Sequence, residues 1–378
     1  MKKIPFRDYH ILNILKLYDE EKAPLDLLFN RYFRENKALG SKDKKEISET
    51  LYGMIRWLSI IDTLCKSPIT WEKRLEAYRL EAFETQKNNP ALSDWVRVSF
   101  PKALFEKLKN SLGREETLSF CLASNTRAPA TIRVNPAKTT QNALFEKWKN
   151  DYDIAKTPRS PYGIIFKRRI NYFQLPEFKQ GLFEVQDEGS QLLADLVAAV
   201  PKEQILDFCA GSGGKTLAFA HKLQGSGQIF LHDVRPQALK EAAKRLARAG
   251  IQNYQTAPAN DPKLMLLAKK MDWVLVDAPC SGTGTLRRNP DMKWRFCPEE
   301  FEKLLLLQRQ IFENALEFVR PGGKIIWATC SVLQEENEAQ AAHFLERFPL
   351  EASAEPLKIL PEQGGPDGFF AQVFTFKP

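Results

Sequence analysis

Apolar residues recur at helical spacing in His10-Ile-Leu-Asn-Ile-Leu-Lys-Leu and in Ile47-Ser-Glu-Thr-Leu-Tyr-Gly-Met-Ile-Arg-Trp-Leu, which predicts an all-α region over residues 1–90. Ser41 suits the cap of the second of these helices, and the polar stretch at 86–90 suits a linker. Over residues 91–189 the pattern becomes that of a small α+β module, with short strands expected at 130–135, 163–167 and 181–186 and helices near 102–109 and 141–149. From residue 190 to 378 strands and helices alternate. Apolar runs at 204–208, 228–233, 254–257, 272–277 and 324–328 predict strands, and 236–249 and 298–319 predict helices. That alternation predicts a doubly wound, Rossmann-like α/β domain built on a parallel sheet, with residues 367–376 as a last strand at its edge. A chain of 378 residues is long for a single core, so three domains fit its length.

Two of the predicted strands end on cysteine. The run Trp273-Val-Leu-Val-Asp277 leads into Ala-Pro-Cys280-Ser-Gly, and Lys324-Ile-Ile-Trp-Ala328 leads into Thr-Cys330-Ser. Each thiol is therefore delivered to the carboxyl edge of the sheet, where open α/β sheets bind ligands. If the strands are neighbours, roughly 4.8 Å apart, Cys280 and Cys330 face one pocket. The other cysteines, Cys65, Cys121, Cys209 and Cys297, are widely spaced, with no Cys-x-x-Cys pair and only four histidines in the chain, which argues against a metal site and against a disulfide framework. The charged start lacks a following apolar stretch, and no run is long enough for a membrane span, so a cytoplasmic protein is expected.

The strand at 204–208 runs into Cys209-Ala210-Gly211-Ser212-Gly213-Gly214-Lys215-Thr216 and then a helix. Neither a phosphate-binding P-loop nor the G-x-G-x-x-G dinucleotide fingerprint is met, because Cys209 and Thr216 stand where those motifs need glycine. Asp233 ends the next strand about twenty residues on, where a carboxylate grips the two ribose hydroxyls of an adenosyl group. A glycine-rich turn plus this acid, without a diphosphate cradle, points to S-adenosylmethionine.

A methyl donor beside two thiols suits one reaction. Cytosine carbon 5 is a poor nucleophile, and addition of a thiolate at carbon 6 makes it enamine-like, so that it accepts a methyl group. The residues leave open which thiol attacks. Asp277 could bond the amino edge of the base or close the cofactor site. A net charge of +8 fits a polyanionic partner. Candidate phosphate contacts are Arg133, Lys167, Arg168 and Arg169 in the small module, and Arg287, Arg288, Lys293 and the stacking indole of Trp294 between the two thiol strands.

Together with Val185-Gln-Asp-Glu-Gly-Ser-Gln191, Arg287-Arg-Asn-Pro-Asp-Met-Lys-Trp294, the run from Ala328 to Asn337 and Asp367-Gly-Phe-Phe370, these motifs resemble the bacterial Sun/Fmu-type (RsmB-like) ribosomal RNA cytosine-5 methyltransferases. The resemblance implies a NusB-like helical amino domain, an RNA-recognition-like module and a class I methyltransferase domain. It implies Cys330 as nucleophile, Cys280 as the thiol that assists product release, S-adenosylmethionine as cofactor, ribosomal RNA as partner, no metal and a monomer. The family loop usually reads Cys-Ala-Ala-Pro-Gly-Gly-Lys-Thr, and here Gly211-Ser212 replaces Ala-Pro. The family's third-strand acid, usually in a Gly-Asp pair, has Asn260 or Asp261 as its counterpart on the adenine side of the cofactor. The rival expectations are an inactive NusB-like RNA-binding protein and an enzyme acting on transfer RNA.

Overall fold

The computed structural model describes residues 4–259 and 261–377, Lys263 by its backbone alone. Contacts divide the chain into two units, Met1–Arg127 with Thr285–Pro298, and Ala128–Gly284 with Glu299–Pro378.

The first unit is helical. Helices Phe6–Glu21, Leu25–Glu35 and Ser41–Arg56 bury Ile11, Ile14, Phe29, Ile47, Leu51 and Met54 in one core. Ser41 is the first helical residue and not the cap, since Gly40 holds that place and its N–H donates to Asp43 Oδ2 at 3.2 Å. Helices also continue past residue 90, through Lys102–Leu112 and Arg114–Ser124. The polar stretch that suggested a linker is bracketed by Phe83 and Leu92, which both pack on Ile60 and Ile61, so it covers a folded turn.

The segment Thr285–Pro298 belongs to this unit for reasons visible in its side chains. Trp294 Nε1 donates to Ile55 O at 2.7 Å, and Lys293 Nζ donates to Arg56 O and to Asn125 Oδ1, both at 2.8 Å. Asp291 accepts from Leu25 N. Arg287 and Lys293 are each only 1% exposed, and Trp294 is half-buried against the helical core. The expected RNA contacts of Lys293 and Trp294 are thus corrected, because their N–H donors are already bonded to protein acceptors, and that of Arg287 is corrected because a side chain so buried does not reach a phosphate. Burial also pulls the Lys293 ammonium well below its ordinary pKa.

The second unit carries two sheets. Strands β1 (Ala130–Val134), β2 (Ile154–Lys156), β3 (Gly163–Phe166) and β4 (Phe183–Val185) form an antiparallel sheet in the order β2-β3-β1-β4. The large sheet comprises β5 (Gln204–Asp207), β6 (Gln228–Asp233), β7 (Tyr254–Pro258), β8 (Met271–Asp277), β9 (Val319–Thr329), β10 (Leu350–Ala352), β11 (Leu357–Ile359) and β12 (Phe369–Phe376). Its order is β10-β12-β9-β8-β5-β6-β7, with β11 also on β12. Strands β5 to β9 are parallel, whereas β12 runs antiparallel to β9 and to β10 and β11. The sheet is therefore mixed, and β12 is not its edge as expected, because β10 and β11 cover its outer side.

Successive residues of the central strands feed opposite cores, Ile205, Trp273 and Leu275 on one face and Leu206, Val274 and Val276 on the other. This two-sided burial explains why those strands read as unbroken apolar runs. The Val185–Gln191 motif ties the sheets together. Gln186 Oε1 accepts from Arg133 Nε at 2.6 Å, Asp187 caps helix Glu188–Asp195, and Glu188 Oε1 accepts from Arg159 N and Ser160 N. Arg133, 2% exposed and spent on Gln186, is likewise a structural cation and not a phosphate contact, which corrects the expectation for it.

Lys293 bolts its segment to the helical unit, so Lys293→Ala, which orphans two buried acceptors and opens a void, is expected to cost about 3 kcal/mol of stability. Denaturant unfolding checks this, and an unchanged midpoint would show that the bonds to Arg56 and Asn125 contribute nothing.

Candidate active site

The chain proceeds from β5 outward through β6 and β7, then returns to the other side of β5 with β8 and β9. Ligands bind at the carboxyl ends of strands where the order reverses in this way. A cavity of about 920 Å³ opens there, lined by the loop after β5, the end of β6, the end of β8 and one face of helix Pro298–Leu316. Of the expected cofactor residues, Cys209, Ala210, Gly211, Ser212, Gly214, Lys215, Asp233 and Asp277 line it. Gly213 lies behind the loop: its φ is +75°, and a Cβ would stand 3.1 Å from that of Ala242. Asp261 is not among the lining residues, and Asn260 lies outside the described residues.

Asp233 is held in place from both sides. Its Oδ2 accepts from Gly211 N at 2.8 Å, and Arg235 donates to both carboxylate oxygens at 2.9 Å. Burial works against its charge, but the bonds from Arg235 and Gly211 outweigh that and hold its pKa below the usual carboxylate value. Two backbone and two guanidinium bonds fill its acceptor sites. The Arg235 side chain, 69% exposed, covers carboxylate oxygens for which a bound sugar diol would compete.

Lys215 pairs with Asp277 inside the site. Burial opposes the Lys215 charge, and Asp277 more than offsets it, with smaller help from Cys330 and Asp207. Asp277 is therefore occupied by a cation at the cofactor end. Asp207, which sequence reasoning passed over, is 1% exposed with Oδ1 unpartnered, while Oδ2 accepts from Thr216 Oγ1 at 2.6 Å. Burial pushes its carboxyl up to about 7. Its signal was an acid closing the strand before the glycine loop. Leu307, Gln310, Ile311 and Asn314 were also missed, since helix positions facing a cavity read like any amphipathic helix.

Strands β8 and β9 are neighbours, with Asp277 opposite Ala328. The turns that follow bring Cys280 Sγ and Cys330 Sγ to 3.3 Å, both half-buried. The hydrogen bond with Cys330, with burial behind it, raises the Cys280 pKa well above its ordinary value, so Cys280 keeps its proton. Cys209 is also pushed up, by burial and then by Asp277, Asp207 and Asp233, and stays an inert thiol. Close backbone packing fixes the turns: Gly284 N donates to Cys330 O, Gly368 N donates to Gly284 O, and a Cβ at Gly284 would lie 2.2 Å from Gly368 O. That accounts for Gly284 and Gly368. Lys167, Arg168 and Arg169 are exposed in the segment after β3, Lys167 paired with Asp153, and Arg288 is half-buried. Among the described residues no cluster of three metal-ligating side chains occurs, and no helix is long and apolar enough to cross a membrane.

Residues 194–375 match the family model of the 16S rRNA methyltransferase RsmB/F, and residues 100–172 match its RsmF/B-like, ferredoxin-like domain. The chain is 32% identical to the probable ribosomal RNA small subunit methyltransferase B of Synechocystis over 75% of this chain and 64% of that protein. It is 32% identical to ribosomal RNA small subunit methyltransferase B of Proteus mirabilis, over 74% and 67%. The chain thus spans about two thirds of the length of these curated relatives. Its fold is similar to that of the crystal structure of PH0851, with TM-score 0.81, 22% identity and coverage of 98% and 99%. It is also similar to NSun6 from Pyrococcus horikoshii with SFG, with TM-score 0.64, 19% identity and coverage of 73% and 98%.

Asp233→Ala is expected to weaken S-adenosylmethionine binding by about 10- to 100-fold, the loss of charge-assisted bonds to two hydroxyls. Arg235→Ala, which removes only the competing guanidinium, should bind at least as tightly as the native chain. Calorimetric titration measures both, and equal weakening by the two variants would contradict the competing role of Arg235.

Proposed function

The chain belongs to the 16S rRNA methyltransferase RsmB/F family, and from that premise we propose that it is an S-adenosylmethionine-dependent RNA (cytosine-5) methyltransferase acting on ribosomal RNA. The observation that carries this reading is the pair of thiols 3.3 Å apart on the carboxyl edge that also forms the cofactor cavity. The residues present fit the cofactor. The cavity is large enough for a nucleoside with an amino-acid tail. Asp233 offers a carboxylate to a ribose, and the Gly211–Gly214 turn lets backbone approach closely. When bound, the cofactor supplies an electrophilic methyl group on a sulfonium.

The protein's own groups do the rest. Cys330 Sγ adds to carbon 6 of the flipped-out base, which passes the electron pair to carbon 5 and makes it nucleophilic. Carbon 5 takes the methyl group. Water takes up the carbon 5 proton, and the freed electron pair restores the double bond as the carbon–sulfur bond breaks and returns its own pair to Cys330. Cys280, protonated and in contact with Cys330, assists that release. The reversed roles, with Cys280 attacking, fit less well because the bond with Cys330 and burial raise the Cys280 pKa and hold its proton. Lys167, Arg168 and Arg169, exposed in the segment after β3, and the half-buried Arg288 are the phosphate contacts that remain from the expected set.

Transfer of labelled methyl to unmodified small-subunit RNA tests the activity, and absence of incorporation would overturn it in favour of a binding protein. Cys330→Ala is expected to abolish both turnover and any RNA–protein adduct. Cys280→Ala should let an adduct survive denaturing electrophoresis while turnover falls by about 100-fold or more. An adduct in the Cys330 variant and none in the Cys280 variant would reverse the roles.

A further inference from the structure

Behind the two thiols lie two adjacent side chains that line no part of the cofactor cavity and that the proposed chemistry leaves without a task. Glu336 is fully buried and Asn337 is 4% exposed. Glu336 turns to the Cys280 turn: Oε1 accepts from Ser281 N at 2.8 Å, and Oε2 accepts from Ser281 Oγ at 2.5 Å. Gln308 braces it, donating to Glu336 Oε1 at 2.8 Å and to Pro279 O at 3.1 Å. Asn337 turns to the Cys330 turn: its Oδ1 accepts from Thr329 Oγ1 at 2.6 Å, and its Nδ2 donates to Ser331 O at 3.0 Å. Trp327 Nε1 fixes the backbone between them by donating to Glu336 O at 3.0 Å.

We infer that Glu336 and Asn337 are positioning residues which together set the separation and aim of Cys280 and Cys330. Neighbours in sequence, they bond to the residues that flank the thiols, Asn337 at the Cys330 turn and Glu336 at the Cys280 turn with a further bond from Ser331. The strand pairing of β8 with β9 stops at Asp277 and Ala328. Beyond it the two turns meet through single bonds, Gly284 N to Cys330 O and Val332 N to Thr283 Oγ1, with the Ser281 and Ser331 hydroxyls 3.2 Å apart, and Glu336 and Asn337 act behind these bonds. A fully buried carboxyl is costly unless its acceptor sites are used. Those of Glu336 are used on the turn that carries Cys280, and a fixed turn is worth that cost where about 1 Å of misplacement slows a reaction 100-fold. The inference rests on the proposed role of the two thiols, and the measurement below reads the pair without RNA or methyl transfer.

Phenylarsine oxide bridges two adjacent thiols with loss of one water, so the rate at which the native chain captures it reports the spacing of Cys280 and Cys330. The Cys280→Ala variant gives the background. Glu336→Ala and Asn337→Ala are each expected to slow capture about tenfold and to lower kcat about 100-fold with KM for RNA within about threefold, the signature of lost positioning. Cofactor affinity should stay at the native value. Glu336→Gln, which keeps the span and the acceptor for Ser281 N, should restore both capture and kcat. Ser281→Ala, which removes one bond and leaves the core filled, should slow capture about threefold; it decides the matter if the larger truncations fail to fold. Native capture and turnover in folded alanine variants would overturn the brace. Intact capture with lost turnover in Glu336→Gln would also overturn it, by making the carboxyl a proton-transfer group. Loss of capture in the variants of a native chain that methylates no RNA would leave the brace standing and sink the activity.

Discussion

Everything at this site depends on the contact between two sulfurs, each carried past the end of a strand. The register of β8 on β9 brings Asp277 and Ala328 level, and the turns beyond must then close the distance to 3.3 Å. At that separation the thiols cannot be independent: the bond with Cys330 and burial, with Glu336 adding to them, raise the Cys280 pKa, so Cys280 holds its proton tightly.

The same edge carries the cofactor cavity because the strand order reverses at β5. Asp207, Asp233 and Asp277 end β5, β6 and β8, and each has a different electrostatic fate. Asp233 is kept ionised by Arg235 and Gly211, and Asp277 is paired with Lys215. Asp207, buried and with one oxygen unpartnered, rises to about 7. Environment alone separates carboxyls of identical intrinsic chemistry.

Sequence patterning made the central strands legible, since two-sided burial writes an unbroken apolar run. The paired cysteines followed from where those runs stop. Strand β12 misled because an apolar run does not say which way it travels or what lies beyond it, and β10 and β11 are too short to announce themselves. The basic segment at 287–294 misled for another reason. Lysine, arginine and tryptophan mark an RNA surface only if they face solvent, and Lys293 and Trp294 instead satisfy carbonyls at the end of helix Ser41–Arg56. Charge was readable from the sequence, whereas burial depended on contacts more than 200 residues apart.

The central claim is that Cys330 bonds transiently to carbon 6 of a cytosine in RNA. Small-subunit RNA carrying 5-fluorocytosine removes the proton whose loss would release the enzyme, so the native chain with S-adenosylmethionine should become trapped in a stable adduct. Peptide mapping is predicted to find the nucleotide on Cys330. No adduct despite saturating cofactor, or an adduct on Cys280, would contradict the account.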